Sequence, residues 1–382
     1  MLAAHRDDIL LSVADASQRV IEVAHEQGFA LVGFARLRRL DERVEFYRRW
    51  LSEGRHATMA YLAREPERRF DPRRLDVRLR SVVSLGYPYH SPAPPALDWR
   101  AELRGRIAAY ALGPDYHDVV LEKASRVAGA ITASGAGAIT RVYVDTGAVF
   151  EREWAKEARL GWFGKNTTTL NRDYGSYFFL AEIFTDAEFE TASAPYREHC
   201  GTCTRCLDLC PTGALAEGYV MDSRRCISYL TIENRGPIMP ELRAAVGNWV
   251  FGCDICQEVC PWNAPFAEPS ASELMPYLPE LMELDEAAFS RRFARSAIKR
   301  AKRRGLLRNA AVVLGNTGNR AAVPVLVRTL ENEPDALVRG HAAWALGRLG
   351  GNVARGALER LAPREPDDTV RLEIANALAA SS

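Results

Sequence analysis

Eight cysteines fall within one short window of the chain, and their spacing is the feature of the sequence most able to do chemistry. The first four lie in a compact run that ends in proline: Cys200-x2-Cys203-x2-Cys206-x3-Cys210-Pro211. In bacterial ferredoxins such a run holds [4Fe-4S] clusters through its thiolates. The spacing therefore predicts a protein that handles electrons.

A second group of cysteines repeats the end of the first at an offset of 50 residues. It reads Cys253-x2-Cys256-x3-Cys260-Pro261. Valine occupies position 250, where the repeat would require a counterpart of Cys200, so this group lacks one ligand. We expect Cys226, the remaining cysteine, to supply it.

The ferredoxin pattern also predicts which cysteines share a cluster. Three closely spaced thiolates bind one cluster, while the thiolate beyond x3 binds the other. We call the four predicted ligands of one cluster the first cluster group: Cys200, Cys203, Cys206 and Cys260. The second cluster group contains the other four: Cys210, Cys226, Cys253 and Cys256.

Zinc and disulfides are the alternatives for these cysteines. Paired C-x2-C motifs also form tetrahedral zinc sites, but zinc requires neither a third C-x2 step nor an x3-C-P ending. Disulfides suit small secreted scaffolds, and all eight cysteines already have a place in the cluster pattern. The spacing favours two [4Fe-4S] clusters.

Composition is that of an ordinary globular protein. The chain has 382 residues, 47% of them hydrophobic, with 50 basic and 49 acidic side chains. It contains no apolar run of about 18 residues, and acidic residues interrupt its N-terminal stretch where a signal peptide would be apolar. We expect no membrane contact and a cytoplasmic location. A monomer is expected because no heptad seam is visible.

The first 190 residues alternate strand-like and helical signals. Apolar runs rich in β-branched and aromatic residues fall at 30–34, 81–89, 141–144 and 176–184, and amphipathic stretches at 16–27 and 116–133. The pattern predicts an α+β fold in which helices surround a sheet. Short helices are expected after Cys203 and Cys256.

The C-terminal segment contains a repeat with an offset of 32 residues. The sequence AAVVLG at 310–315 recurs as AAWALG at 342–347, and Val338-Arg339 recurs as Val370-Arg371. Stacked helix pairs of the HEAT type have such periods, and they present surfaces rather than catalyse reactions. The repeat therefore predicts an α-helical binding domain.

A basic stretch precedes this repeat. Its cations are Lys299, Arg300, Lys302, Arg303 and Arg304. A solvated helix face is the simpler interpretation, and a phosphate-binding patch is the other. Its position beside a surface-forming repeat favours contact with a polyanion.

Nucleotide-binding motifs are absent from the sequence. No Gly-x-Gly-x-x-Gly follows a predicted strand, and the segment 161–166 departs from a phosphate-binding loop because Asn166 stands where serine or threonine is required. Another acceptor must therefore take the electrons of the clusters.

Five sequence blocks identify that acceptor by resemblance. They are YALGPDYH at 110–117, VDTGAVFER at 144–152, LGWFGKN at 160–166, RCISYLTIE at 225–233 and GCDICQ at 252–257. These blocks resemble those of epoxyqueuosine reductases over nearly the whole chain. The resemblance implies a cobalamin-dependent iron-sulfur enzyme that reduces epoxyqueuosine to queuosine at the wobble position of tRNA.

The resemblance also implies a domain order. A nitroreductase-like cobalamin-binding catalytic domain is expected at 1–190, and a ferredoxin-like domain with two [4Fe-4S] clusters at 191–265. A linker with helices at 266–300 then leads to HEAT-like repeats at 301–382. An external one-electron donor must feed the clusters, and the basic stretch becomes the expected tRNA-binding surface.

Individual site residues follow from the same resemblance. Asp145 matches the proton donor, and we expect burial under the corrin to raise its pKa. Capping the end of a strand is the simpler role for this residue. The expected cobalamin contacts are Arg64, Asp145, Lys165, Asn166, Thr168, Ser228 and Asp254, for which surface salt bridges and turns are the simpler roles.

Two departures from known patterns qualify these expectations. Asp115-x-His117-x-x-Val120 lacks the glycine of the motif by which other proteins ligate cobalt, so the segment is predicted to begin a helix that lines the pocket. Asp145 is followed by Thr-Gly-Ala rather than the proline-containing turn of the family. A less rigid turn is therefore expected.

Two other functions compete with this one. A corrinoid reductive dehalogenase would share the cofactors but commonly carries a twin-arginine export signal and has no use for a repeat domain. A non-enzymatic ferredoxin-type electron carrier would use the repeats to dock a partner and would not bind a corrinoid tightly. The absence of an export signal and the presence of a repeat domain beside a basic stretch count against the dehalogenase.

Overall fold

The structure is a computed structural model that describes residues 12–89, 92–191, 196–266 and 271–380. The first eleven residues, on which part of the signal-peptide argument depends, lie outside these ranges. Within the described ranges, none of the helices is both long enough and apolar enough to cross a membrane.

The N-terminal part alternates helices and strands in the predicted manner. Its elements are α1 (Val13–Glu26), β1 (Leu31–Arg36), α2 (Asp41–Ser52), α3 (Pro66–Phe70), β2 (Ser81–Pro88), β3 (Arg106–Ile107), α4 (Tyr116–Ala133), β4 (Thr140–Tyr143), α5 (Glu151–Glu157), β5 (Trp162–Phe163), β6 (Thr169–Leu170) and β7 (Phe178–Thr185). All the strands and helices predicted here are therefore confirmed.

The main sheet has the antiparallel strand order β1-β2-β7-β4. Successive residues along a strand point to opposite faces of the sheet. Leu85 of β2 packs with the buried faces of α1 and α4, whereas Val82 of the same strand packs with Trp154 of α5 on the other face. Helices therefore cover both faces of the sheet, which explains why its central strands are largely apolar.

Helix α4 begins where its sequence predicts. The carboxylate of Asp115 accepts a hydrogen bond from the backbone N–H of His117 at 3.1 Å, which is an N-cap. Its buried residues recur with helical spacing: Val120, Ala124, Val127, Ala128 and Ile131. The predicted helix start at 115–117 is confirmed.

The cysteine window folds into short elements. These are α6 (Arg205–Asp208), α7 (Ile227–Ile232), α8 (Pro240–Arg243), β8 (Trp249–Phe251) and α9 (Ile255–Glu258). Cys226 is the N-cap residue of α7, and Cys256 lies inside α9 rather than before it. Strand β8 pairs in parallel with β3, which joins this region to the N-terminal part.

The C-terminal part is helical. It contains α10 (Leu278–Met282), α11 (Glu286–Arg292), α12 (Lys302–Thr317), α13 (Val323–Asn332), α14 (Ala336–Leu349), α15 (Asn352–Leu361) and α16 (Asp368–Ala380). Helices α12, α14 and α16 pack in succession and carry the 32-residue repeat. Gly347 allows this close approach, because a Cβ atom there would lie 2.5 Å from that of Ala377.

The repeat extends further than the sequence pattern suggested. Arg303 forms a bidentate ion pair with Glu333 (2.9 and 2.5 Å), and Arg339 forms one with Glu365 (2.9 and 2.7 Å). Each of these glutamates begins a Glu-Pro-Asp turn, and its carboxylate also accepts a hydrogen bond from the backbone N–H of the aspartate two residues later. These ion pairs join successive repeats.

Candidate functional site

The eight cysteines all lie within the described residues and form no disulfide. The thiols of the first cluster group are neighbours. Burial raises the pKa of Cys206 to about 11, with further increases from the thiols of Cys200 and Cys260. Burial and then the thiol of Cys203 raise the pKa of Cys260. Cys260 therefore lies with the first three cysteines despite its distance in sequence.

The thiols of the second cluster group are also neighbours. Burial raises the pKa of Cys226, and the thiol of Cys210 raises it further. The pKa of Cys253 is raised by burial and then by Cys256 and Cys226. The thiol of Cys206 also affects Cys256, so the two groups adjoin each other.

Backbone N–H groups point at several of these sulfur atoms. Hydrogen bonds from Ser228 and Tyr229 lower the pKa of Cys226, although burial outweighs them. The backbone of Ile255 has the same effect on Cys253. Iron-sulfur clusters are held by cysteine thiolates. Hydrogen bonds from N–H donors to the sulfur atoms tune the cluster potentials. The residues present therefore fit two [4Fe-4S] clusters.

Asp145 follows β4 in a left-handed backbone conformation (φ 54°), which aspartate tolerates better than most residues. Its N–H donates to Oε1 of Glu151 at 2.5 Å. The phenol of Tyr116 donates to its Oδ2, also at 2.5 Å, and Nε2 of His117 lies 3.7 Å from the same oxygen. The start of α4 thus holds the carboxyl of Asp145, and the start of α5 holds its backbone N–H.

The expected rise in the pKa of Asp145 depends on its cover by a corrin and stays a prediction. In the protein alone, burial raises the pKa, but the neighbouring imidazole of His117, the hydrogen bond of Tyr116 and the charge of Arg300 together bring it below its usual value. The side chain is also 55% exposed rather than covered. Asp145 therefore carries an ionised carboxylate that is exposed, although protein groups surround it.

A different carboxyl near this position is neutral at pH 7. Burial raises the pKa of Glu151 to about 8, and the negative charge of Asp145 adds to the rise. Behind it lies Glu182 of β7, which is fully buried. Burial and the charge of Glu151 raise the pKa of Glu182 well above its usual value. The sequence analysis did not identify either residue, although a glutamate within the apolar strand 176–184 was a visible signal.

The turn after Asp145 is held without proline. The backbone of Gly147 packs against the ring of Tyr143, where a Cβ atom would lie 2.2 Å from a ring carbon. Its carbonyl accepts a hydrogen bond from the buried Arg69 at 3.4 Å. Glycine thus allows a close contact with Tyr143 that a larger residue would prevent.

An ion pair lies beside Asp145. Nε of Arg300 donates to Oε1 of Glu233 at 2.5 Å, and the charge of Arg300 also lowers the pKa of Asp145. The expected contact of Arg300 with tRNA phosphate stays a prediction, because its side chain is 35% exposed beside this ion pair. Its guanidinium forms an ion pair with Glu233, and its positive charge stabilises the carboxylate of Asp145.

Aromatic rings surround the same carboxylate. Burial raises the pKa of Tyr61, Tyr110 and Tyr116, and the charge of Asp145 raises each further. Asp254, next to Cys253, also raises the pKa of Tyr110. Tyr110 thus lies between the Asp145 site and the second cluster group.

These features suit a large, flat cofactor above Asp145. The carboxylate is exposed among aromatic rings, and the buried Nε2 of His117 has no hydrogen-bond partner among the described residues. Arg64, on the segment just after Tyr61, is exposed and can donate to amide oxygens such as those of a corrin. The residues present fit cobalamin at this position.

The other expected cobalamin contacts lie between this site and the cysteines. Lys165 donates to the carbonyl oxygens of Gly201 (2.6 Å) and Cys203 (3.1 Å). Asn166 donates to the carbonyl of Cys256 at 3.2 Å and accepts a hydrogen bond from the hydroxyl of Thr168 at 2.8 Å. These side chains connect the N-terminal part to the cluster loops.

Ser228 and Asp254 lie closer still to the second cluster group. The Ser228 side chain hydrogen-bonds to the thiol of Cys226 and lowers its pKa, although burial outweighs that effect. Asp254 is buried, and its carboxyl accepts a hydrogen bond from the N–H of Ala109 at 2.6 Å. Burial raises the pKa of Asp254 to about 7.

The basic stretch divides into paired and exposed residues. Arg303 is held by Glu333 and by the carbonyl of Leu284 (2.6 Å), and its predicted phosphate contact stays a prediction. Arg304 pairs with Asp335 at 3.0 Å but remains 48% exposed. Lys299 and Lys302 are also exposed.

Comparison with known proteins gives the family. A family profile for epoxyqueuosine reductase QueG matches residues 69–146, one for a 4Fe-4S double cluster binding domain matches 199–263, and one for HEAT repeats matches 293–379. An epoxyqueuosine reductase of Xanthomonas campestris pv. campestris is 40% identical over 341 residues, which are 86% of this chain and 95% of that protein. The chain belongs to the epoxyqueuosine reductase family.

Other members of the epoxyqueuosine reductase family agree with this assignment. The Pseudomonas aeruginosa enzyme is 40% identical over 344 residues, covering 87% of this chain and 94% of that protein. A crystal structure of epoxyqueuosine reductase with an epoxyqueuosine-modified stem loop of tyrosine tRNA has a TM-score of 0.89 and 30% identity, over 97% of this chain and all of that one. The family is one of oxidoreductases, and neither alternative function is favoured.

One solved structure of this family bears on the Asp145 turn. It is an epoxyqueuosine reductase from Bacillus subtilis in which an aspartate-bearing catalytic loop is swung out of the active site. That structure has a TM-score of 0.88 and 30% identity to this chain, and it covers 97% of this chain and 100% of the other.

Proposed function

We propose that this protein reduces epoxyqueuosine to queuosine at the wobble position of tRNA. Family membership over most of the chain supports this function, and the observation that carries it here is an exposed carboxylate beside a ferredoxin-like region. A solved relative was crystallised with an epoxyqueuosine-modified stem loop, which supports tRNA as the substrate.

The reaction requires electrons and protons in equal number. Both carbon–oxygen bonds of the epoxide break, an alkene forms, and the oxygen takes up two electrons and two protons and leaves as water. When bound, the two clusters supply electrons singly and cobalamin supplies the metal that acts on the epoxide carbon. The protein must therefore hold the substrate, exclude other acceptors and deliver protons.

Asp145 is the proposed proton donor to the epoxide oxygen. Its pKa is low in this structure, so the proton has to come from neighbouring groups. Tyr116 holds a proton 2.5 Å from Oδ2. Burial lowers the pKa of His117, but Asp145 and Asp115 together raise it above its usual value. A loop that swings out in a relative suggests that this carboxylate also changes position.

The cluster ligands remain those of the two cluster groups. The proposed cobalamin contacts are Arg64, Asp145, Lys165, Asn166, Thr168, Ser228 and Asp254. Within this set, Lys165 and Asn166 contribute chiefly by donating hydrogen bonds to backbone carbonyls of the cluster loops. The proposed tRNA phosphate contacts are Lys299, Arg300, Lys302, Arg303 and Arg304, and the cations of Lys299, Lys302 and Arg304 are the exposed ones among them.

A wobble base suits such a site. It lies in a single-stranded loop, so it can enter a pocket without the opening of a duplex. We further propose that the protein works as a cytoplasmic monomer and receives electrons from an external one-electron donor.

Anaerobic reconstitution with iron, sulfide and cobalamin, followed by a turnover assay, tests this function. An anticodon stem loop that carries epoxyqueuosine should be converted to the queuosine form. Turnover of an organohalide instead would favour the dehalogenase. A reconstituted protein with no bound corrinoid spectrum and no turnover would favour the electron carrier.

A further inference from the structure

The first repeat helix, α12, contains a buried arginine without a carboxylate partner among the described residues. Arg308 has no exposed surface. Its guanidinium donates to the backbone carbonyl oxygens of Leu230 (2.5 Å), Asn234 (2.9 Å) and Gly236 (2.6 Å). Its remaining N–H groups donate to Oδ1 of Asn309 at 3.0 and 2.7 Å. All of its N–H donors therefore bind either the 230–236 backbone or the side chain of Asn309.

A buried cation of this kind is unfavourable unless its hydrogen bonds are needed. Transfer of a guanidinium from water costs free energy that neutral acceptors only partly return. Burial lowers the pKa of Arg308 to about 9, and the charges of Arg235 and Arg304 lower it further. An apolar side chain could fill the same volume, so the distinctive contribution of Arg308 is to hold the 230–236 backbone.

Asn309 extends this contact to both sides of the second cluster group. Its Nδ2 donates to the carbonyls of Thr231 in α7 (2.8 Å) and Val250 in β8 (2.9 Å). The hydroxyl of Thr231 accepts a hydrogen bond from the N–H of Gly252 at 2.9 Å. Helix α7 follows Cys226, and Gly252 precedes Cys253. One repeat helix therefore holds the segments that carry two of the second group's cysteines.

The same loop reaches the Asp145 site. It carries Glu233, whose carboxylate accepts the hydrogen bond of Arg300. Later repeat helices add contacts just beyond the loop. Nε2 of the neutral His341 in α14 accepts a hydrogen bond from the N–H of Ile238 at 3.1 Å, and Glu373 in α16 pairs with the buried Arg243 at 2.9 and 2.5 Å.

We propose that the repeat domain positions the second cluster group and the Glu233 side of the active site, and that Arg308 is the central positioning residue. The domain then serves as a rigid support for the electron path as well as a surface for RNA. This inference rests on the proposed second cluster, but the contacts through which it acts belong to the protein alone.

Hydrogen exchange and electron paramagnetic resonance test this role in the full-length, reconstituted protein. Arg308→Met removes the charge and the donors, and Arg308→Lys keeps the charge but loses the planar fork. We expect amides of 227–236 and 249–253 to exchange roughly tenfold faster or more in both variants, because buried carbonyls lose their partners. The resonance of the second cluster should change while that of the first is kept.

Arg348→Met is the matched control, since Arg348 is an exposed arginine on α14 of the same domain. The inference is overturned if both Arg308 variants match this control in exchange and in resonance. If Arg308→Met does not fold, Arg308→Lys decides by the same two measurements.

The cluster assignment is tested separately by Cys226→Ala. If that variant keeps all of its iron, the assignment of the second cluster fails. The exchange result still judges the role of Arg308, because it does not depend on a cluster.

Discussion

The backbone N–H of Asp145 and the carboxyl of Glu151 are joined by a hydrogen bond of 2.5 Å. Glu151 lies in the first turn of α5, and its raised pKa keeps it neutral at pH 7, so it accepts this bond without placing a second negative charge beside Asp145. Tyr116 holds the other end of the aspartate. The strained backbone of the candidate proton donor is thus fixed by one neutral acid and one phenol.

Glu151→Gln should remove a pH dependence from the stability of the protein. The folded-state pKa of Glu151 is about 8, against an ordinary value of 4.5. Between these values the folded state binds more protons than the unfolded state, so Glu151 makes stability fall as pH rises. Glutamine resembles the neutral acid and still accepts from Asp145. Thermal unfolding from pH 5 to 9 should therefore show a flatter profile in the variant.

Glu153→Gln, in the same turn of α5, is the control for this measurement. Glu153 is partly buried and pairs with Arg43 at 2.9 Å. An identical pH profile for Glu151→Gln and the unmodified protein would mean that Glu151 titrates normally in the folded state.

Asp145→Asn should abolish turnover while leaving binding intact. Asparagine keeps the size of the side chain and can still contact Tyr116, but it has no acidic proton to deliver. Loss of a general acid lowers the rate by about 10²- to 10⁴-fold. Single-turnover assays on the modified stem loop should show this loss, with unchanged iron content and RNA affinity. Asp118→Asn, on the exposed face of α4, should turn over normally.

The fold was largely predictable because local patterns determine it. Periodicity located α1, α4 and the strands of the main sheet, and spacing alone grouped Cys260 with cysteines more than fifty residues earlier. The protonation states were not predictable, because they depend on contacts between distant segments. Asp145 meets Tyr116 and Arg300 only after folding, and these neighbours lower its pKa in the protein alone.

The basic stretch shows the same limit. Charge density made all five cations look equivalent, yet Glu333 lies thirty residues beyond Arg303 in the sequence and neutralises it in the fold. The position of Glu233 beside Arg300 is likewise a tertiary contact. A sequence pattern identifies the available charges, and only the fold shows which ones remain exposed.

Double cysteine variants should reveal which thiols share a cluster. Cys226→Ala and Cys253→Ala each remove a proposed ligand of the second cluster, so each should lose about half of the iron and sulfide. Their combination should lose no more than either alone, because both act on the same cluster. Combining Cys226→Ala with Cys260→Ala should remove nearly all of the iron. Iron analysis after anaerobic reconstitution gives the result.

Additive losses in the first pair would contradict the grouping. Equal losses in both pairs would indicate that the clusters assemble only together. Zinc in place of iron in an oxygen-free preparation would reject the cluster assignment altogether.

Replacement of Lys299, Lys302 and Arg304 by glutamine should weaken tRNA binding in a salt-dependent way. Each lost phosphate contact reduces the slope of log affinity against log salt by about 0.7 to 0.9, so the triple variant should lose about 2 to 3 from that slope. Replacement of Arg355, Arg360 and Arg364 removes the same charge elsewhere in the repeat domain and is the control. If both triple variants lower the slope equally, the binding reflects net charge rather than this patch. An unchanged slope in the first variant would place the RNA on another surface.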